Sequence, residues 1–90
     1  MKIYIAGKIA GNPDYRAQFE AASSNLRAQG HTVLNPAHNP EGLTRLEYMR
    51  IDLAMLSNCD AIYLLPNWQD SPGARLERQF AEYVGIEVMG

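Results

Sequence analysis

A single cysteine, Cys59, stands among the 90 residues. One thiol cannot close an internal disulfide, so a disulfide-stapled secreted scaffold is excluded. Two histidines, His31 and His38, are too few for a His-rich metal centre, and no Cys/His cluster has the spacing of a structural zinc site. No metal is expected. Neither charge sign dominates: 8 Lys+Arg against 10 Asp+Glu leave a formal net charge of -2. The basic footprint of a dedicated DNA or RNA binder is therefore missing. No apolar run is long enough to cross a bilayer, and the chain opens directly into a strand pattern instead of a signal peptide. A soluble, cytoplasmic chain with no membrane partner is the expectation. Two phosphate-binding fingerprints are absent as well, GxGxxG and the Walker GxxxxGK[ST]. No acidic residue ends the second strand, where the ribose partner of a dinucleotide would sit, and no cofactor is expected.

What is present is ordinary globular composition, 47% hydrophobic and 20% charged. The length suits one domain, residues 1–90. A core this small leaves marginal stability unless subunits associate, so a homodimer or higher homo-oligomer is expected, with Trp68, Tyr48, Tyr63 and Tyr83 available for contacts.

Lys2 to Ala6, KIYIA, is a β-rich run of the kind that is covered on both faces in a parallel sheet. Gly7 ends it. Asn12 and Pro13 have the residue types of a helix cap and first turn. Tyr15, Phe19, Ala22 and Leu26 then recur at helical spacing up to Gly30. His31 to Leu34 reads as a second strand and Ala37 to Leu43 as loop. Thr44 and Glu47 have capping-box spacing, and Leu46, Met49, Leu53 and Leu56 form the expected buried stripe of a second helix. Cys59 to Leu65 reads as an interior strand ended by Pro66. Ser71 and Pro72 open a third helix that runs to about Tyr83 or Val84, and Ile86 to Met89 fits a last edge strand. The order β-α-β-α-β-α-β predicts right-handed crossovers and a parallel sheet. The fold class is α/β: a three-layer αβα domain of flavodoxin or Rossmann type.

Ligands of such sheets bind beyond the carboxyl ends of the strands. The loop after the first strand holds Gly7 and Gly11 around Lys8, Ile9 and Ala10. Glycines there allow backbone N–H groups to approach an anion; a tight turn needing glycine for backbone reasons alone explains them equally well. Ser71 and Gly73 begin the third helix, where hydroxyl and N–H groups can hold a phosphate or sugar hydroxyl; a plain N-cap is the simpler role for Ser71. Trp68, in the preceding loop, fits a lid or a stacking surface, and fits equally a cover over the small core or a subunit contact.

Glu77 is the sharpest residue. It lies three positions after Ala74 and four before Ala81, so it shares the buried face of the third helix, whose other members are Phe80 or Ala81 and Val84. A glutamate there needs a purpose or a partner. A salt bridge to Arg45, Arg50 or Arg78, or exposure at the edge of the stripe, is the alternative. Asp52, between Met49 and Leu56, would pair with Glu77 if the second and third helices converge, and paired carboxylates in different environments can divide nucleophile and acid roles. Polar donors near Glu77 would then be needed to keep it ionised. Asp60, at the opposite end of the sheet, reads as a cap for backbone groups.

The run MKIYIAGKIAG, the aromatic-bearing first helix, NPA after the second strand, and DLAMLSNCDAIYLLPNWQDSPGARLE together resemble a nucleoside 2-deoxyribosyltransferase-like family of small phage and bacterial proteins. Its superfamily includes the nucleoside 2-deoxyribosyltransferases and the 2'-deoxynucleoside 5'-phosphate N-hydrolases. The resemblance implies that Glu77 attacks the anomeric carbon and that Asp52 handles the proton of the leaving base. It further implies that Ser71 and the Gly7 loop hold the sugar 5' end or its phosphate. The phosphate hydrolases resemble GSIRGG in the first loop; here Ala10 stands in place of the arginine, with Lys8 as the available substitute. The implied partner is a small nucleoside or nucleotide, in a pocket completed across a subunit interface. A non-catalytic nucleotide-binding or phage accessory module, or a structural homo-oligomer, on the same scaffold is the alternative.

Overall fold

The structure, a computed structural model, describes residues 1–90. Four strands, β1 (Lys2–Ala6), β2 (Thr32–Leu34), β3 (Ala61–Leu64) and β4 (Glu87–Met89), form one sheet in the order β2-β1-β3-β4. Every neighbouring pair is parallel. Helices α1 (Tyr15–Ala28), α2 (Arg45–Ser57) and α3 (Pro72–Val84) make the connections. The α/β class, the parallel sheet, the interior place of β3 and the edge place of β4 are as the sequence pattern predicts.

Strand alternation divides the core in two. Ile3 and Ile5 of β1 point to one face, where Phe19 and Leu26 of α1 cover them. Tyr4 and Ala6 point to the other, where Leu56 of α2 and Ala74 and Ala81 of α3 pack with Ile62 and Leu64. The strand order reverses between β1 and β3, because the chain leaves β1 toward β2 and returns past it to β3. The carboxyl ends of β1 and β3 flank this switch point, the place where open parallel sheets bind ligands.

Three local expectations are corrected. Helix α1 begins at Tyr15 after Asp14, whose side chain makes no capping bond. Asn12 folds back instead: its Nδ2 donates to the Lys8 carbonyl at 2.9 Å, and its Oδ1 accepts from the Asp14 N–H at 3.2 Å. A short polar side chain that satisfies its own loop does not start a helix. Second, α2 buries only Leu56, and Leu46 is 59% exposed. Third, Val84 is half exposed and Phe80 only partly buried, so the buried residues of α3 are Ala74, Glu77 and Ala81. The Thr44–Glu47 capping box forms as expected, with bonds of 2.9 and 3.1 Å. At the start of the 37–43 loop, Pro36–His38 is a short 3-10 turn capped by Asn35. No helix is long and apolar enough to cross a membrane.

Candidate active site

The fold gathers three oxygen-bearing side chains on the α2/α3 face of the sheet. Tyr4 comes from the middle of β1, Asp52 from the second turn of α2, and Glu77 from the second turn of α3. Tyr4 is fully buried and Glu77 is 5% exposed. A buried phenol requires a hydrogen-bond partner, and the Tyr4 hydroxyl donates to Glu77 Oε2 at 2.9 Å. Asp52 is half-buried and reaches both groups. On its outer side, Asn39 Nδ2 donates to Asp52 Oδ1 at 2.9 Å. The predicted convergence of Asp52 and Glu77 is therefore present.

No cation offsets the two carboxyls. Arg78 pairs with Glu82 at 3.3 Å and lies over the Trp68 ring, 4.8 Å from its centroid. Arg45 and Arg50 are exposed, and none of the ion pairs in the chain includes Glu77 or Asp52. Burial and then the Asp52 charge push Glu77 up to about 8, against the lowering effect of the Tyr4 hydroxyl. Burial also raises Asp52, to about 6, while the Asn39 amide holds it down. Tyr4 rises well above its ordinary range through burial and then the charge of Glu77. The one donor from the chain that reaches Glu77 is the Tyr4 hydroxyl, and burial raises Glu77 in spite of it. The two carboxyls titrate as a pair, with Glu77, the more buried of the two, raised to about 8 and Asp52 to about 6, so that one proton is shared between them in that window.

The loop after β1 is tied to the loop after β3. A Cβ on Gly7 would come within 2.8 Å of Leu65 Cδ1 and 3.1 Å of Asn67 Oδ1, so glycine is required by close approach. The Lys8 N–H donates to that same Asn67 oxygen at 3.1 Å. Gln18 Oε1 accepts from Asn67 Nδ2 at 3.3 Å and from Asn12 Nδ2 at 2.8 Å, which clamps both loops to α1. Ile9 packs on the α1-side core, and Gly11 turns the loop at φ 76°. The Lys8 backbone donor is thus already engaged. No hydrogen bond joins this loop to the carboxylate pair.

Ser71 Oγ caps α3 by accepting from the Ala74 N–H at 3.1 Å. Gly73 lies beside Met49 of α2, so the start of α3 faces the helix that carries Asp52. Trp68 is half-buried, packed against the core and under Arg78. Nothing in the sequence marks Asn39, Asn67 or Gln18: each is an amide in a loop or on an exposed helix face, without periodic or motif context. Tyr4 did carry a signal. Its place on the Ala6 side of β1, with a hydroxyl that needs a partner, points toward the helix pair.

Several solved structures share this fold. A 2-deoxyribosyltransferase from Leishmania mexicana is 22% identical, with a TM-score of 0.75 over 97% of this chain and 61% of its own. A 2-deoxyribosyltransferase from Bacillus psychrosaccharolyticus is 25% identical, with a TM-score of 0.77 over 98% of this chain and 69% of its own. A CMP N-glycosidase from Clostridium botulinum is 18% identical, with a TM-score of 0.73 over 98% of this chain and 68% of its own. The chain thus spans about two thirds of the length of these structures, and it has their fold. No curated protein matches the sequence. The match to a family is complete along the chain: over residues 1–90 it belongs to the family described as domain of unknown function DUF4406.

Proposed function

We propose that this protein cleaves, or exchanges the base across, the N-glycosidic bond of a (deoxy)nucleoside or its 5'-monophosphate, with Glu77 as nucleophile. The observation that carries this reading is the cation-free pair of half-buried Asp52 and buried Glu77, with the Tyr4 hydroxyl on Glu77, beneath the α2 and α3 helices on one face of a parallel sheet. The likeness in fold to transferases and a glycosidase that act on such bonds supports it.

The pair supplies what the reaction consumes. A carboxylate oxygen of Glu77 attacks C1' of the sugar, the C1'–N bond breaks, and its electron pair leaves on the base nitrogen. Asp52 gives that nitrogen a proton. Water, or a second base, then attacks C1', Asp52 takes the proton of the attacking group, and Glu77 leaves as carboxylate. The scheme needs one ionised and one protonated carboxyl, the count the pair holds between about pH 6 and 8. Sugar hydroxyls donating to Glu77 favour its ionised form, so the resting proton passes to Asp52 and both groups become ready together. Ser71, Gly73 and the Gly7–Gly11 loop, with Lys8 and Ile9, take the sugar 5' end or its phosphate, and Trp68 borders that region.

Incubation with a panel of deoxynucleosides and their monophosphates, with free base read by chromatography, tests the proposal. Wild type should release base and Glu77→Ala should not. Nucleotide binding by calorimetry without turnover on any substrate would favour a binding module instead. The assembly reading remains a homo-oligomer: Tyr83 is 92% exposed, and Leu46, Leu76 and Val84 also stand open. Light scattering should give a mass above the monomer.

A further inference from the structure

We infer that Asn39 is a positioning residue that assigns the two oxygens of Asp52: its side-chain NH2 occupies Oδ1, so the proton that Asp52 passes to and from substrate travels on Oδ2. The inference rests on the proposed function and adds to it the group that sets the direction of proton traffic.

The geometry singles out Asn39. Its amide makes one hydrogen bond within the chain, the 2.9 Å contact to Asp52 Oδ1. The amide NH2 donates to Oδ1 and so stabilises it as the acceptor, which leaves Oδ2 as the oxygen on which an acid proton meets no amide N–H. The backbone on either side of Asn39 is pinned. Before it, the 3-10 turn Pro36–His38 is capped by Asn35 Oδ1 on the Ala37 N–H at 3.0 Å, and the Asn39 N–H closes on the Pro36 carbonyl at 3.1 Å. After it, the Pro40 carbonyl accepts from the Tyr48 hydroxyl at 2.7 Å, and that same hydroxyl accepts from the Leu43 N–H at 3.4 Å. The capping box at Thr44 and Glu47 then starts α2, which carries both Tyr48 and Asp52. The loop thus delivers one amide to one carboxyl from a fixed frame, the form of support that holds reacting groups in place.

The groups that face Asp52 are few. Tyr4 approaches from β1, Glu77 from α3 and Asn39 from the loop after β2. His38, next to Asn39 in the chain, turns instead toward Glu20 of α1, 3.8 Å away. Arg45 and Arg50 on α2 itself are exposed. Asn39 is therefore the neutral donor on the outer side of Asp52, and its loss favours the protonated carboxyl.

Carboxyl-carbon NMR titration of the full chain tests this without requiring turnover. In Asn39→Ala the lower of the two midpoints should rise by roughly one pH unit toward the upper one. In Asn39→Asp, which keeps the shape and replaces the donor with a carboxyl, it should rise at least as far; this near-isostere carries the test if the alanine variant does not fold. The acid limb of kcat/KM should move upward in step. A lower midpoint unmoved in folded Asn39→Ala and Asn39→Asp overturns the inference. A chain that releases no base from any nucleoside, yet shows the raised midpoint, removes the proposed function and leaves the Asn39 assignment of Asp52 standing.

Discussion

The two ends of the sheet use carboxyls in opposite ways. At the amino end, Asp60 is exposed, and its Oδ2 accepts from the Lys2 N–H at 2.8 Å. Around it the ladder closes: the Asp60 N–H donates to the Lys2 carbonyl, and the Glu87 N–H donates to the Asp60 carbonyl. At the carboxyl end, Glu77 is 5% exposed and shares its surroundings with a second carboxyl and a buried phenol. Asp60 completes backbone pairing in water, where its charge costs little. Glu77 satisfies no backbone group; its one partner is the buried Tyr4 hydroxyl, and desolvation raises it to about 8. The exposed carboxyl is tied to the backbone, whereas the buried one is tied only to a side chain.

The largest effect that can break this contrast belongs to Glu77→Gln. The amide keeps the shape but is a poor nucleophile, so base release should fall at least about a thousandfold. Wild-type turnover should follow a bell, rising near pH 6 as the pair loses its first proton and falling near 8 as it loses the last. Stability should move the other way in the variant. Glu77 keeps its proton in the fold to about 8 but loses it near the ordinary carboxylate value when unfolded. The unfolded chain binds fewer protons between those values, so wild-type stability falls as pH rises through that window. Glu77→Gln removes this loss and should raise the melting temperature above pH 8, by a free energy of roughly 1–3 kcal/mol. Thermal melts at pH 5 and 8.5 check the sign.

A smaller effect is expected for Tyr4→Phe. It removes the one hydroxyl that donates to Glu77, and with it the hydrogen bond that lowers Glu77. The basic limb of the pH profile should move upward and turnover should fall roughly ten- to a hundredfold. The smallest effect belongs to the amino end. Asp60→Ala should cost about 1 kcal/mol in denaturant unfolding and leave base release unchanged. A large activity loss in Asp60→Ala would erase the distinction between the two ends.

Much of this was legible in the sequence, for physical reasons that differ by element. IYIA and AIYLL are short continuous apolar runs bounded by Gly7 and Pro66, the pattern of a strand covered on both faces, so strand type and interior position were legible from hydrophobicity, length and the breakers beside them. Glu77 was legible because helical period fixes its face through Ala74 and Ala81. The stripe of α2 was legible only in part: Leu56 is buried and Leu53 packs on the core, but Leu46, in the first turn, is exposed, and periodicity gives the face of a helix without the depth at each turn. The ionisation of Glu77 was not legible, since it depends on depth and on how many donors arrive from distant segments. Only Tyr4 arrives. Asn39, thirteen residues from Asp52 and in a loop, shows why supporting amides escape a linear reading: their role is set by the path of the backbone.

In the proposed reaction Glu77 carries the sugar between the two half-reactions. Acid-quenched turnover followed by peptide mass mapping tests it most directly. A sugar ester is expected on the peptide containing Glu77, lost in Glu77→Ala together with base release. A sugar ester on any other residue, with base release undiminished in Glu77→Ala, would contradict it.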